Sequence, residues 1–205
     1  MNIKTIIFDL GGVIIDLDFN KTPEAFSRLT SWKIEDIIPL YFEPGLFQDY
    51  EKGLISDQEL RSGINSLFGT NLTDQQIDEA WCAMLGSVPK ARLDFMNQFR
   101  KDYKVIVLSN TNAIHVDSFN QTIQRVSDKD SLEAFADEVY FSHELHMRKP
   151  DLEIYEEVLK LSGISAEQAL FLDDTQANLD GAAQLGIQTL LITQPNHIFN
   201  LTAHV

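Results

Sequence analysis

Five short stretches of this chain are apolar with almost no polar interruption. They are KTIIFD (Lys4–Asp9), KVIVLSN (Lys104–Asn110), EVYFS (Glu138–Ser142), ALFLDD (Ala169–Asp174) and IQTLLI (Ile187–Ile192). Short continuous runs rich in branched residues predict buried strands. Helical segments separate the last four, and strands alternating with helices indicate a parallel α/β sheet. The first run must join that sheet. Between it and the second, from about Asn20 to Lys101, the pattern is helical and holds no convincing strand. Ser56-Asp57-Gln58-Glu59 is a capping-box sequence opening a helix that should end near Gly69. Thr73-Asp74-Gln75-Gln76 repeats the signal, and Pro89 suits the first turn of a helix running to about Tyr103. The expected architecture is a core of residues 1–17 and 89–205, with a helical cap, residues 18–88, inserted between the first two strands. The last segment, Gln194 to Val205, carries no readable signal.

Composition narrows the partners. With 205 residues and 44% of them hydrophobic, the chain can bury a real core. Its formal charge of −15 repels phosphate backbones and anionic membranes, so neither nucleic acid nor membrane is expected as a partner. An anionic small-molecule substrate would need a local cation to overcome that field. The sole cysteine, Cys82, excludes an internal disulfide. No signal segment and no bilayer-length apolar run is visible, which fits a reducing cytoplasm.

The polar residues that end the strands carry the chemistry. Asp9 ends the first, Ser109 and Asn110 the second, Asp173 and Asp174 the fourth. Ligands bind outside the carboxyl ends of strands in open parallel sheets, so these residues should converge. Lys149, in MRKPD after the third strand, can reach the same place. Taken singly, each has a plainer reading as a cap or a solvated lysine. Together they make a different case. Three carboxylates at one point repel unless a cation sits among them, and oxygen ligands suit Mg²⁺ before Ca²⁺. A cation, Lys149, the Ser109 hydroxyl and the Asn110 amide would bind a phosphate beside Asp9, which describes a covalent phosphoryl-transfer site.

These residues resemble the four motifs of the haloacid dehalogenase superfamily, in order: Asp9 in IIFDLGGV, Ser109 in VIVLSN, Lys149 in RKPD, and Asp173 and Asp174 in FLDDTQAN. The helical insertion is similar to the family's small C1-type cap, on a Rossmann-like core sheet. DLGGVIIDLDFN, LSNTNAIH, YEKGLIS and MRKPDLEIY look closest to bacterial sugar-phosphate phosphatases of the α-glucose-1-phosphatase kind, and also resemble the phosphatase domain of soluble epoxide hydrolases. The resemblance implies attack by Asp9 on phosphorus, then hydrolysis of an aspartyl-phosphate. It also implies Mg²⁺ held by Asp9, the Gly11 carbonyl and Asp174, with Asp173 behind them or orienting Lys149.

One position departs from the pattern. Family phosphatases usually carry an aspartate general acid and base where this chain has Gly11. Asp16, Asp18 and His115 are candidates to replace it, although Asp16 reads more simply as a turn residue and His115 as an ordinary helix residue. Glu51 and Lys52, in the cap sequence YEKG, could bind sugar hydroxyls or be solvated turn residues. Phe42, Phe47, Trp32 and Trp81 read as cap core. A catalytically weak protein that binds a phosphorylated ligand or partner is the alternative that Gly11 supports. A dehalogenase is disfavoured because that reaction needs no metal.

Overall fold

The computed structural model describes residues 3–203. Five parallel strands form one sheet in the order β3-β2-β1-β4-β5. They are β1 (Thr5–Phe8), β2 (Lys104–Ser109), β3 (Glu138–Phe141), β4 (Ala169–Asp173) and β5 (Gln188–Leu191). Each falls inside one of the five apolar runs, trimmed by one or two residues at its ends. None of the described helices is long and apolar enough to cross a membrane.

The central strands are buried on both faces, as continuous apolar runs require. Their side chains divide with period two. Ile6, Phe8, Val105, Val107, Leu170 and Leu172 enter one core cluster, while Ile7, Ile106, Leu108, Ala169 and Phe171 enter another. The first face packs against the helices Lys90–Gln98 and Ala113–Val126 through Leu93, Met96, Phe119 and Ile123. The second packs against the helices Leu152–Ser162 and Gln176–Ala183 through Ile154, Tyr155, Val158 and Leu179. The segment without a readable signal is a 3₁₀ helix, Pro195–Ala203, that buries Ile198 and Leu201 against the first face. Two buried positions in so short a stretch show no period. Residues 204 and 205 of that segment lie outside the described residues.

Between β1 and β2 the chain is helical, with its own apolar cluster. Phe26, Ile37, Phe47, Tyr50, Leu60, Ile64 and Trp81 belong to it, and Ile114 from the core helix Ala113–Val126 reaches into it. Helix Asp57–Phe68 begins on a complete capping box of Ser56 and Glu59 and ends on Gly69 in the left-handed conformation. Helix Asp74–Trp81 begins on the matching box of Thr73 and Gln76. The long helix expected after Pro89 stops at Gln98 and tightens into a 3₁₀ turn, Phe99–Lys101.

Where the insertion leaves and rejoins the core, its two strands of chain pair. Asp16 N donates to Ser87 O, Gly86 N to Asp16 O and Asp18 N to Met84 O, and Leu17 bridges Leu85 in antiparallel fashion. Elsewhere Tyr50 Oη accepts from Ile114 N, Ser142 Oγ lies 2.6 Å from Glu51 O and His146 Nδ1 lies 3.0 Å from Lys52 O. Gly53 is required there. Its φ is +63°, and a Cβ would lie 2.0 Å from His143 O.

Ser56→Ala removes one half of a capping box on an exposed helix end. It should lower stability by about 1 kcal/mol in urea unfolding, with the sheet intact by circular dichroism.

Candidate active site

The register of the sheet assembles the site. Phe8 lies level with Val107 on one side and Leu172 on the other, so the residues that follow these three emerge together at the carboxyl edge. Asp9 N donates to Leu172 O, which holds the first residue beyond β1 in line with the sheet. Lys149 Nζ then lies 2.6 Å from Asp9 Oδ1, 2.7 Å from Asp173 Oδ2 and 3.1 Å from Leu108 O. Lys149 and Asp173 are almost wholly buried and Asp9 is 6% exposed. The family of strand-end residues expected to converge does so.

Asp9, Asp173 and Asp174 each offer a carboxylate oxygen within 4.8 Å of the others. One ammonium faces this group, and the electrostatics show the shortfall. Burial raises the Asp9 carboxyl above the usual range against the pull of Lys149, and Asp173 and Asp174 push it the same way. Asp174 is likewise raised by burial and by Asp173. Burial works against the Lys149 ammonium, yet Asp9 and Asp173 together raise its pKa. The two results agree physically: the lysine has two carboxylates, whereas the carboxylates share one lysine and repel each other. An all-oxygen cluster short of positive charge is what a hard divalent cation fits.

Several residues without a sequence signal hold this arrangement. Asn178 Nδ2 donates to both Asp173 oxygens at 3.0 Å and Thr175 N to Asp173 Oδ1 at 2.8 Å, so Asp173 is fixed with its second oxygen toward Lys149. Gly12, at φ +75°, is the only residue type that lets Asp174 approach, since a Cβ would lie 2.1 Å from Asp174 Oδ2. Arg148 Nη2 pairs with Glu51 Oε2 at 3.1 Å. Direct contacts, not spacing, reveal the roles of Asn178 and Arg148.

Other candidates sit differently from their simplest reading. Asn110 gives its amide to the main chain of Lys149, donating from Nδ2 to Lys149 O and accepting Lys149 N at Oδ1, both at 2.9 Å. One Nδ2 proton remains for a ligand. Ser109 Oγ has only a long contact, 3.4 Å, to Asn110 O. Asp16 is bound by Ser87 Oγ and, at 2.6 Å, by Arg92 Nη1, which lower its pKa against the effect of burial. Asp18 accepts from Asn20 N in a turn. Lys52 points to Asp151 at 3.8 Å. Asp16, Asp18 and Lys52 are not among the residues lining the cavity over Asp9.

His115 does line that cavity, but both ring nitrogens are engaged. Nδ1 lies 3.2 Å from Asn112 Nδ2 and Nε2 lies 3.1 Å from Trp81 O. Asn112 Oδ1 accepts from Trp81 Nε1 and His115 N. This closed set fixes the Nε2–H tautomer and ties cap to core. Burial lowers the His115 pKa to about 4. Asp16, Asp18 and His115 therefore hold the cap linkers and the cap contact, and none presents a free proton at Gly11.

The cavity has a volume of about 650 Å³. Its floor carries Asp9, Ser109, Lys149 and Asp174, and its walls carry Leu17, Phe19, Tyr41, Phe42, Trp81 and Met84. Trp81 and Phe47 are buried in the cap cluster, as read, and Trp32 packs edge-on against Phe68. Phe42 departs from that reading, for it is 78% exposed at the cavity.

Known proteins share this sequence and fold. The haloacid dehalogenase-like hydrolase family model matches residues 3–186. A D-ribitol-5-phosphate phosphatase of Bacteroides thetaiotaomicron is 34% identical over 187 residues, 91% of this chain and 90% of that protein. Among solved structures, a HAD family enzyme of the same organism, in complex with magnesium and inorganic phosphate, superposes with a TM-score of 0.83 at 35% identity, covering 92% of this chain and 93% of the other. A HAD-like family hydrolase from Porphyromonas gingivalis gives a TM-score of 0.90 at 32% identity, covering 100% and 98%.

The neutral His115 generates a pH dependence. Its folded pKa of about 4 lies below the unfolded value near 6.5, so the unfolded state takes up the proton first as pH falls. His115 should therefore cost about 3 kcal/mol of stability between pH 6.5 and pH 4, and nothing above it. In urea unfolding at pH 7.5 and pH 5, the fall should be smaller in His115→Asn than in the parent. Equal falls would show that His115 is not held neutral. The motifs, the fold and the matched family agree: the chain belongs to the haloacid dehalogenase-like hydrolases.

Proposed function

We propose that this hydrolase cleaves the phosphate monoester of a small metabolite, a sugar phosphate, through an aspartyl-phosphate on Asp9. The observation that carries the reading is the buried Lys149 held between Asp9 and Asp173, with Asp174 completing a three-acid cluster at the floor of the cavity. A dehalogenase would leave that cluster without a task. The named phosphatase activity of the ribitol-phosphate relative points the same way.

Mg²⁺ would be held by Asp9, the Gly11 carbonyl and Asp174, where it would offset the charge of a bound phosphate and of the acids around it. Asp9 supplies the nucleophilic oxygen. Lys149 orients Asp9, favours its ionised form against the effect of burial, and meets the charge on the phosphoryl oxygens. Ser109 Oγ and the remaining Asn110 Nδ2 proton complete the phosphoryl cradle, while Asn110 also fixes the lysine loop. Asp173 acts through Lys149. The cap, residues 18–88, closes the cavity and presents Glu51 to the alcohol portion of the substrate. Lys52, turned to Asp151, stands behind it.

Phosphate release from a sugar- and polyol-phosphate panel, with Mg²⁺ and with chelator, tests this reading. Release should require Mg²⁺ and fall by roughly 10³-fold or more in Asp9→Asn. Release that survives chelation or the Asp9 change would contradict it, and binding without Asp9-dependent turnover would favour the ligand-binding alternative. Gly12→Ala tests the acid cluster separately. It should weaken Mg²⁺ binding at least about tenfold in calorimetry, because Asp174 must move.

A further inference from the structure

The cavity contains an apolar group where a proton donor could have stood. Gly11 borders the cavity two residues beyond Asp9, and its φ is outside the left-handed region. Its backbone would accept a side chain, but Leu17 stands in the way: a Cβ there would lie 2.5 Å from Leu17 Cδ1, and that methyl would have to move. Leu17 is itself a wall residue, packed on the main core cluster and pinned by its bridge to Leu85 where the cap joins the core.

Nearby titratable groups are engaged elsewhere. Lys149 uses its three protons on Asp9, Asp173 and Leu108 O. His115 is held neutral with both nitrogens paired. The Tyr41 hydroxyl is buried without a hydrogen-bond partner, and burial raises its pKa, so it holds its proton. Glu51 is paired with Arg148. Lys149, His115 and Glu51 thus have their protons or their charge committed to other partners, and none of the three stands over Asp9 with a proton unclaimed.

Resting on the phosphatase reading, we infer that this site selects phosphate esters of acidic hydroxyl groups, and that Leu17 is a specificity-determining residue in that choice. The P–O ester bond breaks as the Asp9 Oδ–P bond forms. The electron pair stays on the departing oxygen, which takes its proton from water. In the second step water attacks phosphorus, the Asp9 Oδ–P bond breaks with its electrons returning to the carboxylate, and the surplus proton leaves on inorganic phosphate or to solvent. An alkoxide with its charge on one oxygen is costly beside the Leu17 side chain, which offers it no hydrogen bond. A phenolic, enolic or anomeric oxygen, which bears negative charge more readily, is less so. The aromatic walls suit such a ring or planar group.

The test compares kcat/KM for aryl phosphates of graded leaving-group acidity with that for D-ribitol 5-phosphate, an ester of an ordinary primary alcohol. In the parent protein kcat/KM should climb steadily with acidity across the aryl series. The most acidic ester should exceed the primary-alcohol ester by about 10²-fold or more, the size of typical acid assistance. Gly11→Asp combined with Leu17→Ala makes room for a carboxyl and should narrow that ratio about tenfold through kcat. A flat aryl series in the parent overturns the inference whatever the variant does. So does selective slowing of the primary-alcohol ester in Glu51→Gln, which would make Glu51 the acid. Absence of Asp9-dependent release from every ester overturns the phosphatase reading, and this inference with it. Release with a flat series overturns the inference alone.

Discussion

Everything at the carboxyl edge of the sheet depends on one buried ammonium shared by two carboxylates. Lys149 between Asp9 and Asp173 is out of water, and such a charge persists only when paired and hydrogen-bonded on all sides. The pairing imposes demands on the surroundings. Asn110 grips the lysine main chain, Asn178 and Thr175 hold Asp173, and β1 and β4 must lie in register so that Asp9 and Asp173 stand side by side. The lysine does not neutralise the cluster, since Asp174 stands within reach of both acids. That remaining negative charge is what gives a divalent cation its place. A cation bound there would reconcile a chain of formal charge −15 with an anionic substrate.

The cap is tied to this edge rather than merely inserted above it. Its linkers pair through Leu17 and Leu85, and Arg92 joins Asp16 to Asn196 of the C-terminal 3₁₀ helix. Trp81, Asn112 and His115 close a second connection by hydrogen bonds, and Ile114 enters the cap cluster. A cap held at several points defines the size of the cavity and the apolar character of its walls.

Much of this was legible along the chain because the signals are local. Apolar runs marked all five strands, and the boxes at Ser56 and Thr73 marked two helix starts to the residue. The convergence of Asp9, Ser109, Asn110, Asp173 and Asp174 followed from their places at strand ends, and that of Lys149 from its place in the loop after β3. What stayed hidden depends on tertiary contact. Gly11 read as a missing acid, but only the return of the chain at Leu17 and Leu85 shows that its space is filled. Asn178 and Arg148 look like surface residues until their carboxylate partners are placed. Asp18 and Lys52 lie near the site in sequence yet face away from the cavity, because a turn and an ion pair with Asp151 claim them.

The central claim is that Asp9 carries the phosphoryl group between two steps. Acid-quenching the reaction with p-nitrophenyl phosphate and Mg²⁺ during turnover, followed by peptide mass spectrometry, tests it directly. The account predicts a phosphoryl adduct on the peptide that contains Asp9, present only with Mg²⁺ and lost in Asp9→Asn. An adduct on a different residue that forms while phosphate is being released, and that Asp9→Asn leaves in place, would contradict it.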